Sequence, residues 1–205
     1  MSRLNEIPVA TTLLLYSSVY GMSRQICERM QALLRQRGQT VEVAPIGGNL
    51  DPAAFDAIVI GASIRYGKHN PAVLDFIRAH VALLEARPSA LFSVNLVARK
   101  PDKNTPLTNP YLKKLVAQSP WKPRLLGVFA GELDYSRYKP SDKWIIRLIM
   151  WITNGPTDFS TKIVFTDWDE VERFAGQVAT LAARPNQVPA RADGQCLTGM
   201  DAGLR

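Results

Sequence analysis

The chain has 205 residues, 46% of them apolar and 21% charged, an ordinary mixture for one well-buried globular domain. Two cysteines, Cys27 and Cys196, exclude a disulfide-rich scaffold and any metal site built from four thiolates. The formal charge is +7, and residues 98–147 alone carry eleven basic residues against four acidic ones, so the rest of the chain is balanced. A partner that answers to this charge is expected to meet the middle of the sequence.

Residues 1–8 contain Arg3, Asn5 and Glu6 and lack the apolar stretch of a secretory signal. No apolar run reaches the ~18 residues of a spanning helix. Residues 11–16 (TTLLLY) read as a buried parallel strand. A helix follows over 23–37, with Ile26, Met30, Leu33 and Leu34 at helical spacing and Gly38 as its stop. Residues 40–46 and 57–60 (AIVI) are strands. Pro71 opens a helix through residue 86, with Val73, Leu74, Ile77, Val81 and Leu84 as its inward stripe. Strands at 90–97 and 125–130 flank a helix at 109–117. A strand-like stretch at 162–166 precedes a closing helix at 168–183. Residues 184–205 are rich in Pro, Gly and Ala without a period and are expected to be a disordered tail in which Cys196 is idle. Apolar strands separated by helices require helices on both sheet faces, which makes residues 9–183 a doubly wound α/β domain.

The interval from Arg99 to Thr161 is longer than the connections usual in such folds. Two stretches within it, 100–109 and 132–143, are expected to be functional loops on the rim where strands end. Neither has a core of its own, so no second domain is expected.

The strongest local signal lies between the first strand and the first helix: Ser17, Ser18, Val19, Tyr20, Gly21, Met22 and Ser23. A helix N-terminus presents unpaired N–H groups and the positive end of its dipole, hydroxyls add donors, and a glycine lets the backbone wrap an anion. This suits a phosphate held without a metal, although the same residues could serve only to cap the helix. The Walker lysine and the GxGxxG glycines are both absent. A second loop at the same edge holds Ser63, Ile64, Arg65, Tyr66 and Gly67, and a third holds Ser93, Val94, Asn95, Leu96 and Val97. Ligands of open parallel sheets lie outside the carboxyl ends of the strands. One loop suited to phosphate and another with an Arg–Tyr pair able to cover a flat ring fit a phosphorylated aromatic cofactor; Tyr66 as an ordinary half-buried surface residue is the competing reading.

Residues 18–23 resemble the [ST]-x-T-G-x-T phosphate loop of flavodoxins, with Tyr20 and Ser23 at the Thr positions. The runs IGASIRYG (60–67), SVNLVARKP (93–101) and TDW (166–168), with the aromatic and basic stretch 135–150, are similar to the menaquinone-dependent protoporphyrinogen IX dehydrogenase family of bacterial haem synthesis. The resemblance spans about residues 12–183. It implies a flavodoxin-like five-stranded parallel sheet in the order 2-1-3-4-5, with an inserted basic and hydrophobic region at 132–161. It also implies non-covalently bound FMN on the three loops and oxidation of protoporphyrinogen IX, with menaquinone or ubiquinone as acceptor. The family setting is the cytoplasmic face of the bacterial inner membrane. Tyr20 stands where such loops carry a small or acidic residue, so its side chain is expected outside the phosphate nest.

The basic middle suits a tetrapyrrole with propionates or an anionic membrane surface, and Arg65, Arg99 and Lys100 are the expected substrate contacts. No nucleic-acid motif accompanies the aromatics of this region, and nucleic acid is not expected as a partner. Residues 144–152 (WIIRLIMWI) contain one polar side chain. On a helix, Lys143, Arg147 and Asn154 share a narrow stripe with Met150 inside it, while Trp144, Ile145, Leu148, Ile149, Trp151 and Ile152 cover the wide remainder. Nine residues at ~1.5 Å each fall far short of a ~30 Å hydrocarbon core. The segment is therefore a buried helix or an interfacial one, and its place beside the basic block favours membrane contact by Lys143, Trp144, Arg147, Leu148, Trp151 and Ile152.

No nucleophile–base pair stands out, and the two histidines, His69 and His80, support neither a triad nor a metal site. That emptiness suits a flavoenzyme, in which the cofactor carries the redox chemistry. An NAD(P)H:quinone reductase on the same platform and a non-enzymatic flavodoxin carrier are the alternatives. A response-regulator receiver domain would need acidic residues where Ser17, Ser18 and Val19 stand. The oligomeric state, a homo-oligomer included, is left open.

Overall fold

The computed structural model describes residues 10–137, 140–152 and 155–183. In chain order the elements are β1 (Thr11–Ser17), α1 (Met22–Gln36), β2 (Thr40–Pro45), β3 (Ala57–Arg65), β4 (Lys68–His69), α2 (Pro71–Ala79) and α3 (Val81–Ala86). They continue with β5 (Ser89–Val94), α4 (Pro110–Gln118), β6 (Leu125–Phe129), β7 (Glu132–Asp134), α5 (Pro140–Ile152), β8 (Lys162–Val164) and α6 (Trp168–Ala183). The parallel sheet has the order β2-β1-β3-β5-β6, which is the expected 2-1-3-4-5 once the short hairpin strand β4 is set aside.

Both faces of the sheet are covered, as its continuous apolar strands require. Leu13, Leu15, Ile58, Ile60 and Leu91 face Val73, Ile77, Leu84, Leu112 and Trp121 on one side. Leu14, Val59, Ala90 and Phe92 face Ile26, Met30 and Leu34 of α1 and Val171, Phe174 and Val178 of α6 on the other. Gly61 is dictated by this packing, because a Cβ there would overlap the Phe92 ring.

The structure departs from the sequence-based elements at four places. The helix expected over 71–86 breaks at His80, whose backbone leaves helical geometry (φ −124°, ψ 23°), although the apolar stripe runs straight through the break. The strand expected to reach Val97 ends at Val94, because the Asn95 side chain accepts from Ala98 N–H and starts a short 3₁₀ turn. The third strand runs on to Arg65 instead of stopping at Ile60. The stretch 132–143, expected as loop, contributes β7 and the start of α5, and β7 pairs antiparallel with β8 as a separate two-stranded sheet. Leu133, Tyr135 and Met150 are buried together there, with Tyr20, Leu96, Ile146, Phe159 and Phe165 packed around them, so this region does carry a small core. The expected tail with Cys196 lies outside the described residues, while Cys27 is buried in α1 and burial pushes its thiol pKa up.

Candidate functional site

The carboxyl ends of β1, β3 and β5 open into one cleft enclosing about 150 Å³ and exposed to solvent at its mouth. Ser18, Val19, Tyr20 and Met22 line it from the first loop, Ser63 to Gly67 from the second, and Val94, Asn95, Leu96 and Val97 from the third. The chain thus brings the three expected loops to one place. Ser17 and Ser23 on the first segment and Ser93 on the third are buried and do not line it. Arg99 and Lys100 are not on its wall. Arg99 instead donates to Leu96 C=O at 2.9 Å and stacks over Phe165, and burial lowers its pKa.

The first loop turns on Gly21, whose φ of +97° is a left-handed conformation that side chains rarely adopt. Ser18 Oγ accepts from Gly21 N–H at 3.0 Å, which closes the loop. No side chain caps α1, so its first N–H groups are left for another acceptor. Ser23 Oγ, in the first turn, is fully buried and has no hydrogen-bond partner. A buried hydroxyl without a partner costs free energy, and an anion in the loop would relieve it.

Tyr66 has the only positive φ (49°) of any non-glycine among the described residues, and Gly67 follows at 75°. The β3–β4 hairpin that this turn forms projects Arg65 and Tyr66 toward α5. There they meet Asp142. Tyr20 and Tyr66 donate their hydroxyls to its carboxylate, and Arg65 adds an ion pair at 3.0 Å. These hydrogen bonds, Tyr20's first, hold the Asp142 carboxyl down at about 2 although its side chain is only 1% exposed. Burial and the same contact push the Tyr20 phenol up to about 12. Tyr20 therefore points away from the phosphate loop and into α5, as its size suggested. Asp142 was not singled out in the sequence, where a lone carboxylate in a basic stretch has no period to mark it.

Behind the third loop lies a polar network. His69 Nε2 is 3.0 Å from Ser93 Oγ, and Asn95 Nδ2 donates to the same oxygen. Asn95 and Asn109 exchange side-chain hydrogen bonds, and Asn109 also caps α4. Burial lowers the His69 pKa to about 4, so the ring is neutral at pH 7.

The last wall is α5. Ile145, Ile146 and Ile149 line the cleft beside Tyr111, Gly131 and Glu132, none of which the sequence reading placed there. Met150 is fully buried, and a Cβ on Gly155 would crowd the end of its side chain. Trp144, Ile145, Leu148, Ile149, Trp151 and Ile152 are all 40–70% exposed. This is the wide apolar face deduced from the spacing, and it points outward. Arg147 lies along its flank over the rings of Trp144 and Phe159. A shallow groove runs between Trp144, Arg147, Leu148, Trp151 and Thr157.

A flavodoxin domain model matches residues 13–160. The quinone-linked protoporphyrinogen IX dehydrogenase of Escherichia coli K12 is 42% identical over 176 residues, which cover 85% of this chain and 97% of that protein. The enzyme of the same name from Leishmania major is 41% identical over 94% of this chain and 84% of its own length. Among solved structures, Megasphaera elsdenii flavodoxin superposes with a TM-score of 0.51 at 12% identity, over 82% of this chain and 98% of the flavodoxin. That last likeness speaks for the fold, and the sequence identity speaks for the chemistry. The chain is an oxidoreductase that belongs to the quinone-dependent protoporphyrinogen IX dehydrogenase family, built on a flavodoxin domain.

Proposed function

We propose that the cleft binds FMN and that the protein oxidises protoporphyrinogen IX to protoporphyrin IX, passing the electrons to menaquinone or another respiratory quinone. The observation that carries the cofactor is the first loop, where an uncapped helix N-terminus, a left-handed Gly21 and the unpartnered Ser23 hydroxyl lie together. Met22 and Ser23 N–H groups with the Ser18 and Ser23 hydroxyls would hold the phosphate. The loops at 63–67 and 94–97 would flank the isoalloxazine. When bound, FMN would supply the redox chemistry; because protoporphyrinogen IX loses six electrons and six protons in becoming protoporphyrin IX, three two-electron turnovers would be needed, each reducing one quinone to the quinol. The protein's own contribution is orientation and charge. Arg65 is the cation on the cleft wall among the described residues, so it is the group best placed for a substrate propionate.

The membrane reading rests on the outward apolar face of α5. No helix among the described residues is long and apolar enough to cross a membrane. Two exposed tryptophans flanked by Lys143 and Arg147 suit a helix lying in the headgroup layer, where a lipid-soluble quinone can reach the adjacent cleft. The protein is then peripheral, on the cytoplasmic face of the inner membrane.

The visible spectrum of the purified protein, followed anaerobically, tests the central reading. Flavin bands should be present, bleach on addition of protoporphyrinogen IX and return on addition of a quinone. Protein that carries flavin but is not reduced by the porphyrinogen would overturn the substrate, and protein that takes up no flavin would overturn the cofactor.

A further inference from the structure

Arg137 stands over the phosphate loop. Its Nη2 lies 3.4 Å from where a Cβ on Gly21 would sit, nearer than any other group outside the loop's own neighbours. The residue belongs to the turn after β7, in the region inserted behind the last parallel strand, and so reaches the β1–α1 loop from 116 positions away. Its present partner is Glu132 at 3.3 Å, a carboxylate on the cleft wall that is only 9% exposed. The loop itself contains no Lys or Arg from Ser17 to Ser23. Its own donors are all neutral: backbone N–H groups and the Ser18 and Ser23 hydroxyls.

A phosphate dianion entering this loop meets an electrostatic problem that neutral donors do not solve. Glu132 lies beside it, and a buried carboxylate near a dianion is repulsive unless a cation stands between them. Arg137, which reaches both Gly21 and Glu132, is a cation in that position. We infer that Arg137 is the charge partner of the cofactor phosphate, so that binding changes its ion pair with Glu132 into an arrangement in which the guanidinium bridges Glu132 and the phosphate. The guanidinium has donors for both at once, five N–H groups in a fixed fork. Ser23 Oγ, buried and unpartnered in the first turn of the helix that follows this loop, is the second sign that an anion belongs there. The inserted region would then do more than wall the cleft, because it would supply a positive charge at the phosphate end and make cofactor retention depend on its being folded in place.

The inference rests on the proposed use of FMN, and comparing FMN with riboflavin separates the two. Riboflavin carries the same ring and ribityl chain without the phosphate. Flavin stripped from the holoprotein is titrated back by fluorescence quenching, at low and high salt, into the unaltered chain and into Arg137→Ala and Arg137→Lys. Loss of a charge-assisted contact should weaken FMN binding about tenfold in Arg137→Ala, with Arg137→Lys between the two and riboflavin affinity the same in all three. FMN affinity of the unaltered chain should also fall more steeply with salt than that of Arg137→Ala. An equal loss for FMN and riboflavin would show that Arg137 only supports the fold, and no loss for either would show that it faces Glu132 alone. Both results overturn the inference while leaving FMN as cofactor. Failure of the unaltered chain to bind either flavin would instead overturn the cofactor reading itself. Should Arg137→Ala not fold, Arg137→Gln in the same titration, which keeps the stem and its hydrogen bonding but not the charge, decides between these outcomes.

Discussion

Tyr20 donates its hydroxyl to Asp142 at 2.5 Å across 122 residues of sequence, joining the tip of the β1–α1 loop to the first turns of α5. Tyr66 and Arg65 complete the clasp from the β3–β4 hairpin. One carboxylate therefore ties α5 to two of the three loops around the cleft. Asp142→Ala should free α5 while leaving the doubly wound core intact, since neither apolar layer includes Asp142. Amide hydrogens of α5 should exchange about tenfold faster or more, with those of β1, β3 and β5 unchanged. Unchanged exchange in α5 would assign its hold to Met150 and Tyr135 alone.

The clasp has a defined pH window. A carboxyl held at about 2 contributes fully above its ordinary value of 3.8 and loses that contribution as pH falls toward 2. The Tyr20 phenol, raised to about 12, contributes fully below its ordinary 10.0 and is lost as pH rises through 12. Emission from Trp144 and Trp151 on α5 should hold steady between about pH 4 and 10 and change outside those limits. A transition near pH 7 would mean that another group controls α5.

Gly21→Val tests the first loop. A β-branched residue at φ +97° is strained, and its side chain would press on Arg137 Nη2. The expected result is a folded protein whose FMN affinity falls at least about tenfold, read by flavin fluorescence. Full affinity in a folded variant would take the phosphate away from this loop.

The parallel sheet was legible because its strands are continuous apolar runs between helices, a pattern with few architectures. The loops at their carboxyl ends followed from that rule, and the structure gathers them into one cleft. What escaped the sequence depends on single side chains or on distant pairing. His80 interrupts a helix whose apolar stripe continues unbroken, and Asn95 ends a strand by capping with its own amide. β7 has three residues and pairs with β8, itself expected as the strand-like stretch at 162–166, only in space. Asp142 acquires its role from three donors on two other loops. Which residues share the apolar face of α5, by contrast, was written in its spacing, since position around a helix needs no partner to be read; that the face points outward was not.

Arg99 separates charge from support. It was expected to meet a substrate propionate, but it donates to Leu96 C=O and lies against Phe165, and a Cβ on Gly155 would come within 3.0 Å of its Nη2. Arg99→Gln should lower Tm and reduce turnover with porphyrinogen and with a soluble quinone alike. A selective rise in KM for the porphyrinogen, at unchanged Tm, would restore the substrate role.

His69 makes stability pH-dependent on the acid side. Its pKa is depressed by burial to about 4, so its contribution is complete above the ordinary 6.5 and is lost as pH falls from there toward 4. The full difference corresponds to about 3 kcal/mol. His69→Gln keeps an amide opposite Ser93 Oγ and cannot titrate. Denaturant unfolding of the unaltered protein should weaken between pH 6.5 and 4, and the variant should show a flatter profile over that interval. Parallel profiles would locate the acid sensitivity elsewhere.

The outward face of α5 yields the last prediction. Trp151 and Ile152 are 70% and 66% exposed and do not line the cleft, so replacing both with serine leaves the flavin site and the core untouched. Burial of these side chains in the headgroup layer contributes about 25 cal/mol per Å² of apolar area and is insensitive to salt. Attraction of Lys143 and Arg147 to an anionic surface, about 1 kcal/mol each when close, weakens as ionic strength rises. On vesicles containing anionic lipid, the unaltered protein should bind at low salt and partly dissociate at high salt. The double variant Trp151→Ser with Ile152→Ser should keep its fold and bound FMN while losing vesicle binding and turnover with a lipid-soluble quinone together. A soluble quinone should still be reduced at the normal rate. If the unaltered protein ignores anionic vesicles and instead dissociates from dimer to monomer on this double substitution, the face belongs to a second copy of the chain and not to the membrane.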